Sequence, residues 1–275
     1  MFIEDILNYY EDIKEDLKFQ GMSHVRIKIM ICLCRGSKKT KDLRKFIGIP
    51  SSTILHAITE LEKQNFISRK GDDFFLTETG EITVLKLIDT IKTLVSLKKF
   101  QKLWLNHEIE AIPRELLTKI GYLSSSELIE AESDDMLKTH GIHIQVILNS
   151  KEIKGVSPIF YPDYTETFNN ILNKNAEVEL ILTEDVLKKT IQSQSPEDLK
   201  ELKRLIWEEK LKLWEIKEDI KVAFTVTDKT MTLGLFSTSG KYDSTRLLKS
   251  DDENALKWGN ELFDYYLKRA QKVNL

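Results

Sequence analysis

Between residues 23 and 77, helical apolar spacing is broken repeatedly by turn formers and then yields to a strand-like pattern, an order few folds accept. Ser23 can cap a helix holding Val25, Ile27, Ile29, Met30, Ile31 and Leu33, which should end near Gly36. A short helix is expected over 40–47, with Leu43, Phe46 and Ile47 apolar and Gly48 closing it. Ile49-Pro50 makes the turn. Ser51 or Ser52 then caps a third helix through Gln64, burying Ile54, Ile58 and Leu61 at i, i+4 and i+7. Two strand-like runs follow, 66–69 and 74–77, joined by Lys70-Gly71-Asp72-Asp73, a turn-forming tip. This is the order of a winged helix-turn-helix, whose third helix enters a DNA major groove.

Charge is concentrated in the same place. Residues 21–71 carry eleven Lys and Arg against three acids, a net +8 in a chain of 275 residues whose total is −3. A basic island in an otherwise acidic chain points to a polyanion partner. The outward face of the third helix presents Ser51, Ser52, Leu55, His56, Thr59 and Lys63. Hydroxyls, an imidazole and a cation suit phosphate oxygens and base edges, and the first N–H groups of a helix favour phosphate. Lys38, Lys39 and Lys41, with Arg44 and Lys45, lie on the preceding helix and its approach, and Arg69 and Lys70 lie on the wing. The expected partner is a double-stranded DNA operator. A winged helix used for protein docking is the competing reading.

Upstream, residues 3–19 place Ile3, Ile6, Leu7, Tyr10, Ile13 and Leu17 on one helical face. Downstream, Thr77 or Thr79 opens a long helix, 78–105, with an apolar seam of Ile82, Leu85, Ile88, Ile91 and Val95. The seam pairs with a second copy or is buried within the subunit, and a homodimer is expected. Composition changes after His107. Strand-like runs at 127–130, 143–148, 177–183, 212–216, 222–226 and 231–236 then mix with helix-like runs at 114–120, 164–173, 184–191, 196–209 and 253–272. The expected fold is α+β: an N-terminal winged helix-turn-helix, a long connecting helix and a C-terminal α/β sensor domain, divided as 1–105 and 106–275.

Several classes of function are excluded by what the sequence lacks. The stretches free of Asp, Glu, Lys and Arg are short, fourteen residues at 46–59 and twelve at 139–150, whereas a membrane span needs roughly 20 mostly apolar residues. Acids begin at the fourth residue, unlike the start of a signal peptide. Cys32 and Cys34 stand two apart on a helix, so they point about 200° away from each other and form no disulfide framework or chelate. A cytoplasmic location is expected. Gly234 and Gly240 enclose one residue too many for a phosphate-binding loop, and Tyr242 replaces its Ser or Thr. His107-Glu108 lacks a second His at position 111, where Ala stands. His140 and His143 have no acid or Cys between them. No catalytic residue, metal or cofactor is therefore expected. Lys154-Gly155-Val156-Ser157-Pro158, followed by Tyr161 and Tyr164, combines a cation, a hydroxyl and aromatic walls. Lys154, Ser157, Tyr161 and Tyr164 are the candidate site for a small anionic effector; a structural turn is the alternative.

Residues 49–61 (IPSSTILHAITEL) and 63–69 (KQNFISR) resemble the recognition helix and wing entry of ArsR-like and MarR-like regulators. Glu78-Thr79-Gly80 continues the likeness, being similar to the Thr-x-x-Gly segment that opens their next helix. Residues 150–164 (SKEIKGVSPIFYPDY), 176–187 (AEVELILTEDVL) and 255–266 (ALKWGNELFDYY) resemble the middle-to-C-terminal domain of archaeal winged-helix regulators of the methanogenesis-regulator (FilR) family. The resemblance implies a non-catalytic transcriptional regulator from a methanogen, with a sensor or effector-binding second domain. It leaves the ligand open. An enzyme that uses a winged helix for assembly and an architectural chromatin protein are the opposed readings.

Overall fold

Ser23 ends the first helix and begins the second. Its hydroxyl accepts from Arg26 N at 3.4 Å, so α1 (Ile3–Met22) gives way to α2 (His24–Leu33). The computed structural model describes residues 3–172 and 176–273. Gly48, at φ +76°, closes α3 (Thr40–Ile47) in the left-handed conformation that glycine adopts without strain. The chain then enters α4 (Ser51–Lys63), where Pro50, rather than Ser51 or Ser52, holds the cap position and no side chain closes the end. β1 (Ile67–Lys70) and β2 (Asp73–Leu76) pair antiparallel, and Lys38 adds a one-residue bridge to Phe74. Ile29, Leu43, Ile54, Ile58, Leu61 and Phe74 fill the core between these elements. The winged helix-turn-helix forms as its spacing predicts.

α5 (Glu78–Lys99) sends Val84 into that core. Its Ile82, Leu85 and Val95 remain exposed, as do Ile3, Ile6, Leu7, Tyr10, Ile13 and Leu17 of α1. The helix expected to reach 105 breaks at Phe100, and α6 (Gln101–Asn106) resumes beyond it. Phe100 and Leu103 are buried in the core of the second unit. The chain's two units, Met1–Ile91 and Lys92–Leu275, accordingly divide inside α5, upstream of the break read from composition.

The second unit is a mixed sheet with helices on both faces. α7 (Arg114–Leu117) and a 3-10 turn (Ile120–Leu123) replace the single helix expected over 114–120. Then follow β3 (Glu127–Glu130), α8 (Lys138–Leu148), β4 (Glu152–Ser157), α9 (Asp163–Leu172) and β5 (Glu177–Thr183). Next are α10 (Glu184–Gln192), α11 (Pro196–Trp207), β6 (Leu211–Ile216), β7 (Val222–Thr227) and β8 (Met231–Leu235). β9 (Arg246–Ser250), α12 (Glu253–Leu267) and β10 (Gln271–Lys272) complete it. Position 173, the expected end of α9, lies outside the described residues. Among those residues the strand order is β10-β6-β5-β4-β7-β8-β9-β3, with β4, β5 and β6 parallel and the other pairs antiparallel.

Two expectations fail here. Residues 143–148 are helix, not strand, and 152–157, absent from the strand-like runs, is a central strand. The pleat then assigns each side chain to a face. Val156, Ile181, Ile216, Phe224 and Leu233 face α12, where Trp258 is fully buried and its Nε1 donates to Leu116 O at 2.9 Å. Ile153, Val178, Leu182, Leu211 and Leu213 pack on the opposite side with α9, α10 and α11. Among the described residues no helix is long and apolar enough to cross a membrane.

His107 ties α6 to the sheet. Its Nδ1 lies 2.8 Å from Leu103 O and its Nε2 2.9 Å from Asp243 Oδ2. Burial pushes the Asp243 carboxyl up, but hydrogen bonds from Thr245, His107 and Arg246 outweigh it and hold the group below the ordinary carboxylate range. His107→Ala removes a buried bond to an ionised group and is expected to destabilise the protein by about 2 kcal/mol. Urea denaturation measures it; a change within about 0.5 kcal/mol, the surface-substitution range, would show that this contact does not hold α6 in place.

Candidate functional site

α4 owes its two-sidedness to helical spacing. Ile54, Ala57, Ile58 and Leu61 are buried, whereas Ser52, His56, Thr59 and Lys63 are exposed on one side at steps of four, three and four. Ser51 is half-buried at the first helical position, where N–H groups have no acceptor within the helix. The Thr59 hydroxyl donates to Leu55 O at 3.0 Å, and His56 Nε2 lies 3.5 Å from Glu60 Oε1. Glu60 also accepts from Arg26 NH1 at 2.8 Å, and Arg26 NH2 donates to Phe19 O at 2.6 Å. Arg26 therefore anchors α4 from behind, a role its place among the basic residues did not reveal.

The other cations are not equivalent. Lys39 and Lys41 are exposed at the start of α3, and Lys70 is exposed at the hairpin. Lys38 is half-buried, its Nζ donating to Gly36 O at 3.1 Å and Ser37 O at 3.2 Å. Arg69 folds onto its own turn, Nε donating to Gly71 O at 2.7 Å and the guanidinium facing the Phe74 ring at 5.3 Å. Lys38 is thus engaged within the protein and Arg69, though exposed, is tied to its own turn, whereas Lys39, Lys41, Arg44, Lys45, Lys63 and Lys70 are presented outward.

In the second unit the expected four-residue site is only partly assembled. A cavity of about 110 Å3 lies on the sheet face opposite α12, and Ser157, Tyr161 and Tyr164 line it. Lys154 does not. One residue before Gly155 on β4, it emerges on the α12 face, with Nζ 3.3 Å from Asn260 Oδ1 and 5.6 Å from the Phe263 ring centroid. The Ser157 hydroxyl closes a local turn, donating to Ile159 O at 2.7 Å and accepting from Ile159 N at 3.2 Å. Lys154 and Ser157, paired as anion-binding groups in the sequence, are therefore split by the pleat of β4.

His140 and His143, three residues apart on α8, come together at this cavity instead. His140 stacks on Tyr161 at 4.4 Å between centroids, and Tyr164 packs against both histidines at 5.6 and 5.8 Å. His143 Nδ1 lies 3.0 Å from Thr232 Oγ1. Burial, and secondarily His140 beside it, pull the His143 pKa down to about 4, so the ring is neutral near pH 7. Among the described residues no third His, Cys, Asp or Glu joins them in a metal-holding group. Tyr242, another lining residue, has its phenol pushed up by burial, with Tyr161 and Asp243 adding to the effect.

Comparison with known proteins gives a family. The description "Methanogenesis regulatory protein FilR1, N-terminal domain" matches residues 14–95, and its "middle domain" counterpart matches 136–269. The curated Methanogenesis regulatory protein FilR1 of Methanothrix harundinacea (strain 6Ac) is 30% identical over 264 residues, covering 96% of this chain and 59% of that protein. The chain thus spans about three-fifths of the relative's length. Among solved structures, the archaeal chromatin protein TrmBL2, described as showing a novel mode of DNA binding, aligns at a TM-score of 0.43 and 14% identity. That alignment covers 94% of this chain and 98% of the other. A phosphatidylserine synthase of Haemophilus influenzae Rd KW20 aligns at 0.37 and 12%, over 54% of this chain and 40% of that one. Both structural likenesses are remote. The two FilR1 domains follow in order along the sequence, and the curated relative aligns across nearly all of it: this chain belongs to the FilR1 family of methanogenesis regulatory proteins.

Proposed function

We propose that the chain is a sequence-specific, DNA-binding transcriptional regulator of the cytoplasm, without catalysis, that acts as a homodimer with an ArsR-like first unit and a signal-sensing second unit. One observation carries the reading. Ser52, His56, Thr59 and Lys63 share the exposed side of a helix whose other side is core, and Lys39, Lys41 and Lys70 stand exposed on flanking elements. Groups that can read base edges, framed by cations for the backbone, are what a duplex requires.

The dimer is supported by apolar surface. Ile82 is 65% exposed and Leu85 52% exposed on α5, and the apolar face of α1 is likewise uncovered. Contiguous apolar faces of this kind mark interaction surfaces. In this reading a second copy covers them, and a signal received in the second unit passes along α5 to alter the spacing of the two recognition helices.

Selection from random duplexes is expected to enrich a sequence with two half-sites about one helical turn apart. Ile82→Glu combined with Leu85→Glu is expected to give a monomer in light scattering. The double substitution is also expected to weaken binding to the enriched duplex by at least about a hundredfold, through loss of avidity. A stable monomer of the unsubstituted protein at micromolar concentration would refute the dimer, and failure to enrich any sequence would refute sequence-specific binding.

A further inference from the structure

The cavity of the second unit has a floor built from one row of the sheet. Leu213, Leu180, Gly155, Thr225 and Thr232 are in register across β6, β5, β4, β7 and β8. At its middle stands a residue with no side chain; a Cβ on Gly155 would lie 3.0 Å from Leu180 Cδ2 and 3.5 Å from Thr225 Oγ1. Ala223, also lining the cavity from β7, adds only a methyl group. Leucines at one end of the row and short side chains at the other leave a gap beneath α8 and the tyrosines. Protein interiors hold few voids larger than a water. A water needs only about 10–15 Å3 measured this way, so this gap has room for several.

The walls decide what can enter. Among the described lining residues there is no Lys, Arg, Asp or Glu. Lys154, one residue before Gly155 on β4, is on the other face of the sheet beside Asn260. His143, buried and hydrogen-bonded to Thr232, is held neutral chiefly by its burial. An ion entering here would lose its water without gaining a counter-charge, which disfavours it strongly. A flat apolar body instead meets Leu180 and Leu213 below and the stacked rings of Tyr161, His140 and Tyr164 beside it. A cavity of ~150 Å3 accommodates benzene, so about 110 Å3 admits a body no larger than a single ring. The Thr225 hydroxyl supplies one hydrogen bond at the floor.

We propose that this cavity is the ligand site of the second unit and that it takes an uncharged small molecule with one flat, apolar ring-sized body and a single hydroxyl or carbonyl group directed at Thr225. The regulatory meaning of the site rests on the sensing role proposed above; its ligand chemistry does not.

A matched set of probes tests the class on the full chain: benzyl alcohol, benzoate, benzylammonium and toluene, titrated by ligand-observed NMR. Benzyl alcohol is expected to bind at least tenfold more tightly than benzoate or benzylammonium. Thr225→Val keeps the shape and removes the hydroxyl, so it should weaken benzyl alcohol about fivefold, the worth of one hydrogen bond, and leave toluene unchanged. Ala223→Leu fills the gap and should abolish binding of both; if it does not fold, the isosteric Thr225→Val still decides. Equal or tighter binding of benzoate overturns the proposal, as does unchanged benzyl alcohol affinity in Thr225→Val. If the probes bind as expected but operator affinity does not respond to them, the ligand class stands and the sensing role falls.

Discussion

Alanine at Lys39, Lys41, Lys63 and Lys70 together is expected to weaken binding to every duplex alike, by roughly tenfold per lost phosphate contact at 0.1 M salt. The slope of log affinity against log salt should become shallower by about 0.9 for each contact. These four are chosen because their side chains are exposed on α3, α4 and the wing. Lys38 and Arg69 have the right charge in the wrong engagement: one ammonium is spent on the carbonyls of Gly36 and Ser37, and one guanidinium on the wing turn. Replacement of half-buried Lys38 should cost folding more than affinity. His56→Ala is the contrasting case. It should leave the salt slope nearly unchanged and relax preference at one base pair by about 1–3 kcal/mol, the worth of a direct base contact. Fluorescence anisotropy over a salt series separates the two, and an unchanged slope in the fourfold variant would remove this face from the DNA interface.

The first unit could be read almost element by element because each of its signals is local. Gly48 and Pro50 punctuate the chain where α3 ends and α4 begins, and Ile54, Ile58 and Leu61 repeat at uninterrupted helical steps. What escaped there is non-local: the one-residue bridge of Lys38 to Phe74, and the pairing of Arg26 with Glu60. The second unit depends far more on such contacts. His143-Ile144-Gln145-Val146 alternates polar and apolar residues as a strand does, yet α8 forms because Thr139, Val146 and Ile147 share a buried side in helical geometry. β4 was hidden for the opposite reason. Its Lys154, Gly155 and Ser157 are poor strand formers by composition, but Ile153 and Val156 face opposite cores, and parallel pairing with β5 fixes the strand centrally. β10 has only two residues, too few to show an alternation. The error in the candidate site follows directly. Once 152–157 is a strand, neighbouring residues lie on opposite faces, and Lys154 and Ser157 cannot grip one ligand.

Gly80→Ala is expected to destabilise the first unit severely for a change of one methyl group. Gly80 sits in the first turn of α5, and a Cβ there would lie 2.0 Å from Phe66 O and 2.9 Å from Phe66 C. Both are backbone atoms, so no side-chain rotation relieves the clash. The same few residues are already bonded to one another. Thr77 N donates to Phe66 O at 3.0 Å, the Thr77 hydroxyl donates to Asn65 O at 2.5 Å, and that hydroxyl accepts from Gly80 N at 3.0 Å. To admit a methyl group, the start of α5 must move away from the strand entry, and the Thr77 bonds go with it. Overpacking costs about 1–3 kcal/mol and each of the three lost hydrogen bonds about 1 kcal/mol, so a loss of roughly 4–6 kcal/mol is expected. Thr77→Ala, which gives up the hydroxyl without a clash, should cost only about 1 kcal/mol, and exposed Thr79→Ala almost nothing. Urea denaturation of the three variants should rank them in that order. DNA affinity should fall with Gly80→Ala as well, because the displaced strand entry leads straight into the wing that carries Lys70. If Gly80→Ala is as stable as Thr79→Ala, the close approach of α5 to Phe66 is not what fixes the wing.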